Sequence, residues 1–189
     1  MALLFPGKWG FTPRVGGGSA FYVSHQGPAI TMNPLTMLLW ALPIAVSLHV
    51  FEEFAWPGGL RQWIKACKPS KPKSDFWYVF VNAVAIVAAF KIAWKAPDTL
   101  AFRVYLFIAA IMAGNAASHI RGAIQMKQYC PGVVTGGLLL LPLSVIGYWY
   151  LLGTGKVDLP SAIICFCIGI FFGFYVFGVD IKEKDRKKT

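Results

Sequence analysis

The sequence predicts an all-α integral membrane protein, a bundle of about five transmembrane helices. Three observations carry that expectation. Hydrophobic residues make up 57% of the 189 positions, and charged residues only 14%, where soluble domains carry roughly 25%. Mean hydropathy is +0.58. Five apolar stretches, at 35–54, 76–94, 100–119, 133–152 and 159–179, reach the length of about 20 residues that a spanning helix needs. Residues 31–180 then form one transmembrane domain. An N-terminal extracytoplasmic extension (1–30) precedes it, and a basic cytoplasmic tail (181–189) follows.

The first span opens at Pro34, since proline suits the first turn of a helix, and it ends at Trp56-Pro57-Gly58-Gly59. Residues 60–73 are basic, with Trp63 and Ile64 among the charges, and suit a segment lying on the membrane surface. Lys95-Ala96-Pro97-Asp98 separates the second and third spans. Cys130-Pro131-Gly132 opens the fourth, and Gly153-Thr154-Gly155 closes it. Pro160 begins the fifth. Pro43 and Pro142 fall inside spans, where a bundle tolerates them. Gly16-Gly17-Gly18-Ser19 marks the first 30 residues as different in kind and as a poor signal peptide.

The net charge of +10 does not point to nucleic acid, because the basic residues flank the spans. Twelve lysines and arginines fall in the segments after spans one, three and five, against six on the other side. The positive-inside rule then places the N-terminus outside and the C-terminus in the cytoplasm. Cys67 and Cys130 fall in loops, and Cys165 and Cys167 in the last span. No pair reads as a disulfide framework or a thiolate zinc site.

Chemistry concentrates at His49-Val-Phe-Glu52-Glu53, in the last turns of the first span. A carboxylate in hydrocarbon costs several kcal/mol, so such residues face a polar cavity and a partner. Residues three and four apart share a helix face, so His49 neighbours both glutamates. The third span carries Asn115 and His119, again four apart and at the same end of the bundle. Asn82, Tyr129 and Thr135 fall at that end too.

Two imidazoles, two carboxylates and an amide make a ligand set for zinc or non-haem iron. The expected metal ligands are His49, Glu53 and His119. Glu52 is a fourth ligand or the base that activates bound water, and Asn115 is an oxyanion donor or a ligand-orienting group. This set predicts a metal-dependent hydrolase working on a lipid or other apolar substrate from the cytoplasmic leaflet. Oxidation by iron, or a metal-free acid–base isomerase, are alternatives at the same residues. Buried Glu and His also suit a metal-ion or proton transporter. A non-catalytic subunit of a membrane complex, or a homo-oligomer, would use the same groups to hold helices together, with Glu53 pairing to Arg61 or Arg121. Asn82 reads best as a helix–helix hydrogen bond, and Arg121 and Tyr129 as interface anchors.

The motifs also resemble a known family. His49-Val-Phe-Glu52-Glu53 matches the pattern for which the HXXEE family of small bacterial membrane proteins is named. Asn115-Ala-Ala-Ser-His119 resembles that family's NxxxH motif, and Tyr129-Cys-Pro-Gly-Val-Val-Thr135 resembles its third block. The resemblance covers about residues 35–142. It implies His49, Glu52, Glu53, Asn115 and His119 as the site and a bacterial inner membrane as the location, and it carries no agreed reaction. The EExxxR pattern of an intramembrane protease family is absent, because Arg61 stands eight residues past Glu53.

Overall fold

The computed structural model describes residues 33–55, 59–67, 74–95 and 98–177. The extension at 1–30 and the tail at 181–189 lie outside them. All regular structure among the described residues is helical. The helices are α1 (Pro34–Ala55), α2 (Gly59–Cys67), α3 (Asp75–Trp94), α4 (Thr99–Met126), α5 (Val133–Thr135), α6 (Leu141–Gly153) and α7 (Leu159–Phe172). A π-helical turn, Gly136–Leu140, joins α5 to α6, and a second, Gly173–Phe177, prolongs α7.

This is a membrane protein: among the described residues four helices are long and apolar enough to cross a bilayer, Pro34–Ala55, Phe76–Trp94, Thr99–Met126 and Val133–Gly153. The fifth apolar helix, Leu159–Tyr175, is shorter. Large apolar side chains such as Phe51, Phe76, Trp94, Leu138 and Trp149 are exposed on the outside of the bundle, as a lipid-facing surface requires.

Helix ends follow local chemistry. The Asp98 carboxylate accepts from Ala101 N at 2.6 Å and that of Asp158 from Ser161 N at 2.9 Å, capping α4 and α7. Pro142 has no N–H to give and would crowd the carbonyl four residues back. The preceding turn widens, and Leu141 N reaches back to Gly136 O.

α4 runs longer than the sequence predicts, through Arg121 to Met126. At 1.5 Å per residue it measures about 42 Å, more than the roughly 30 Å hydrocarbon core, so its last turns project beyond that thickness. A charged residue there ends the apolar run without ending the helix. Cys67, expected in a loop, is the last residue of α2.

The core is arranged around α4, whose Tyr105, Leu106, Ala109, Met112 and Ala116 are buried. Lipid is as apolar as leucine, so close packing rather than water exclusion holds such helices together, and small residues allow it. α7 crosses α4 at glycines. A Cβ on Gly169 would come within 2.5 Å of Ala110 Cβ, and one on Gly173 within 2.4 Å of the Ile111 carbonyl oxygen. The amphipathic α2 buries Leu60, Trp63 and Ile64 and leaves Arg61 and Lys65 outward. Trp63 seats against Gly122 of α4, where a Cβ would stand 2.7 Å from the indole.

Candidate metal centre

His49 and Glu53 are one helical turn apart on α1, and Asn115 and His119 are one turn apart on α4. The packing of α4 on α1 brings the two pairs together. His49 is 0% exposed, Glu53 1%, Asn115 1% and His119 5%. The Glu53 Oε1 atom lies 3.3 Å from His49 Nε2 and 2.8 Å from His119 Nε2. The two imidazole rings meet edge to face at 5.2 Å. Asn82 of α3 donates to Glu53 Oε2 at 3.1 Å, the inter-helix hydrogen bond expected of it. Asn115 Nδ2 stands 2.9 Å from His49 Nε2.

Glu52 points to a different task. Gly132 is the N-cap of α5 and has no side chain to cap it. The first N–H groups of any helix lack partners within it. Glu52 supplies the acceptor from another helix, taking Val134 N at 3.1 Å and Thr135 N at 2.7 Å. The Thr135 hydroxyl donates to it at 2.5 Å and the Tyr129 hydroxyl at 2.6 Å. A carboxylate at a helix N-terminus is also favoured by the helix dipole. Four donors thus occupy the two oxygens that the sequence assigns to a fourth metal position or a general base. The group whose ligand atoms all lie within 4.8 Å of one another is His49, Glu53 and His119, without Glu52.

These bonds fix a tautomer. Thr135 Oγ1 gives its proton to Glu52, so it accepts from His49 Nδ1 at 2.9 Å. Nδ1 therefore carries the hydrogen, and the Nε2 lone pair turns inward. A neutral His49 accepts there from Asn115 Nδ2. On the other imidazole, Cys130 Sγ lies 3.4 Å from His119 Nδ1. Each prospective ligand is held from behind: His49 by Thr135, His119 by Cys130, Glu53 by Asn82. Metal-binding histidines and carboxylates are oriented in this way by partners on their far sides.

Gly132 closes the site. Its φ of +89° lies in the left-handed region that favours glycine. A Cβ there would stand 2.8 Å from His49 Cε1 and 3.1 Å from both His119 Cε1 and Glu53 Cγ. The Pro131-Gly132 pair marks a turn in the sequence, but its seat on the imidazoles is tertiary and has no local signal. Cys130 was legible only as a loop residue. Tyr129, read as an interface anchor, keeps an exposed ring while its hydroxyl binds Glu52. Burial first, and then the Glu52 carboxylate it bonds, push that phenol above its usual range. Glu53 has the two histidines and Asn82 as partners, where the sequence offered Arg61 or Arg121.

A comparison with protein families matches residues 40–147 to "Protein of unknown function with HXXEE motif". The chain belongs to the HXXEE family. The matched stretch contains every residue that builds the site, from His49 to Thr135. Among curated proteins, the HXXEE chain is 27% identical over 103 residues to "Uncharacterized protein YrkK" of Bacillus subtilis (strain 168). That match covers 53% of this chain and 65% of the relative, less than two thirds of its length. No solved structure matches the chain.

Proposed function

We propose that this protein is a metal-dependent membrane enzyme, holding one zinc or iron ion through His49 Nε2, His119 Nε2 and Glu53 Oε1 and acting on a lipid or other apolar substrate. One observation carries the reading: three inward ligand atoms of the right kind meet in an apolar bundle, each held on its far side by another residue. Bond lengths of 2.0–2.2 Å around a tetrahedral zinc separate its ligands by about 3.3 Å. The observed 2.8 and 3.3 Å are close to that spacing. Two histidines and one carboxylate leave positions open for substrate or water, as in single-zinc hydrolases and non-haem iron enzymes. A bound ion would polarise a carbonyl or bring the pKa of its water to about 7.

Hydrolysis remains the leading reaction, with Glu52 reassigned from base to helix cap. Asn115 is then the group nearest His49 Nε2 that can donate to developing negative charge. The excess of lysine and arginine in the segments at the site end supports a cytoplasmic-leaflet site, in the inner (plasma) membrane of a bacterium. The substrate partner is an apolar small molecule drawn from the surrounding lipid.

The test is elemental analysis of detergent-purified protein by mass spectrometry. The expected result is near-stoichiometric zinc or iron, lost in His49→Ala, His119→Ala and Glu53→Ala and retained in Glu52→Gln. Zinc would favour hydrolysis, and iron would favour oxidation. Metal-free protein after reconstitution, with its helical circular dichroism intact, would overturn the reading. The 2.8 Å His119–Glu53 pair would then stand as an acid–base couple.

A further inference from the structure

The two imidazoles of the site are backed by different chemistry. Behind His49, Thr135 is committed. Its hydroxyl proton goes to Glu52, so towards His49 Nδ1 it only accepts. Behind His119, Cys130 is not committed. Its Sγ lies 3.4 Å from His119 Nδ1 and 3.8 Å from the Pro131 carbonyl oxygen. A thiol is both a weak donor and a weak acceptor. With its proton on the His119 side, it serves a ring whose Nδ1 is bare. With its proton turned to Pro131 O, it accepts from a ring whose Nδ1 carries hydrogen.

His119 needs both arrangements. Its Nε2 lies 2.8 Å from Glu53 Oε1, a hydrogen-bond distance. A carboxylate only accepts, so Nε2 carries the hydrogen between them, and Nδ1 of the neutral ring is bare. A metal ion takes the Nε2 lone pair, and the hydrogen then stands on Nδ1. His49 faces no such change, because its hydrogen is already on Nδ1. The surroundings make the thiol hard to replace. Cys130 is 1% exposed and belongs to the largely apolar cluster of Leu60, Trp63, Ile64 and Tyr78. A buried ring nitrogen left without a partner there is costly.

We propose, building on the metal-site reading, that Cys130 is the positioning residue of His119. Its thiol partners the imidazole in either tautomer, which lets Nε2 exchange Glu53 for a metal ion while Nδ1 stays paired. The ring is neutral before and after, and the hydrogen lost from Nε2 is matched by the one gained at Nδ1. The site thus has one fixed imidazole, His49, and one adjustable imidazole, His119.

Nitrogen NMR of isotope-labelled histidine side chains, on the full-length protein in detergent, reads each tautomer before and after zinc is added. The chain has three histidines, few enough to assign by single substitution. His119 should carry its hydrogen on Nε2 without zinc and on Nδ1 with it, and His49 on Nδ1 throughout. Zinc affinity, measured by competition with a chromophoric chelator, should fall roughly 10–100-fold in Cys130→Ala. Cys130→Ser keeps a donor and an acceptor and should recover most of that loss. A thiol that only filled an apolar space would be replaced better by alanine than by serine, so the reverse order would overturn the proposal. So would a His119 hydrogen on Nδ1 in both states, read on unmodified protein whether or not the variants fold. A thiolate-to-cobalt absorption band in cobalt-loaded protein would make Cys130 a ligand and overturn it too. Zinc bound with no change at His119 sinks the role of Cys130 alone. Protein that takes up no zinc, cobalt or iron sinks the metal site and this role with it.

Discussion

Gly132 is the single residue whose side chain, if it had one, would strike three members of the site. Its backbone is left-handed, which costs a residue with a Cβ about 1–2 kcal/mol. The added methyl would meet His49 Cε1 at 2.8 Å in a packed interior, and overpacking costs about 1–3 kcal/mol more. Gly132→Ala is therefore expected to lower the thermal unfolding temperature in detergent and to weaken retention of the metal proposed for His49, His119 and Glu53, although it touches no ligand atom. Unchanged metal content in a clearly destabilised variant would mean that the turn can move without moving His49. The neighbouring glutamates show what a residue reading can and cannot reach. Spacing puts Glu52 and Glu53 equally near His49. What separates them is the return of the chain at Tyr129–Thr135, which presents four donors to Glu52 and none of those four to Glu53. No local pattern encodes that.

Among the elements, α7 depends most visibly on charge at its start. Asp158 caps it through Ser161 N and reaches Arg103 of α4 at 3.0 Å. The backbone N–H of Ser161, followed by its side chain and by Arg103, holds the Asp158 carboxyl down at about 2, below the usual 3.8. A depressed carboxyl contributes stability above its unfolded pKa and loses it as pH falls through the folded one. The contribution is thus full above about pH 4 and is lost as the pH falls through about 2. Both partners are exposed, so screening keeps the effect small. Thermal unfolding of the protein and of Asp158→Asn should differ at pH 5 and converge as the pH approaches 2. A difference that persists at the acid end would point to the cap geometry rather than the charge. Elements were the scale at which the sequence was most readable. The starts and ends of α1 and α3 lie within a residue of the apolar runs that predicted them, because lipid demands uniform hydrophobicity along a span. The end of α4 was not readable, since Arg121 stops the run while hydrogen bonding continues to Met126. The π turn before Pro142 answers a steric demand that hydropathy does not register.

For the molecule as a whole, the open quantity is which way the site faces, and it turns on α7. Leu159–Tyr175 is about 25 Å long at 1.5 Å per residue, somewhat short of a 30 Å core. The π turn through Phe177 adds length, and a bilayer thins to meet a short helix at modest cost. If α7 crosses, the chain makes five passages and its termini lie on opposite sides. If α7 stays within one leaflet, they lie on the same side. The excess of twelve basic residues over six predicts five passages, with the C-terminus and the metal-site end in the cytoplasm. A C-terminal green fluorescent protein fusion should therefore fluoresce, and a C-terminal alkaline phosphatase fusion should be inactive. A cysteine-free variant with one cysteine placed in the first 30 residues should react with an impermeant maleimide on intact cells. An active phosphatase together with a labelled N-terminus would reduce the count to four. Fluorescence with an unlabelled N-terminus would also give four crossings but would turn α1 around and put the site end outside. The two assays together therefore fix both the number of crossings and the side of the membrane on which the His49–His119 end of the bundle lies.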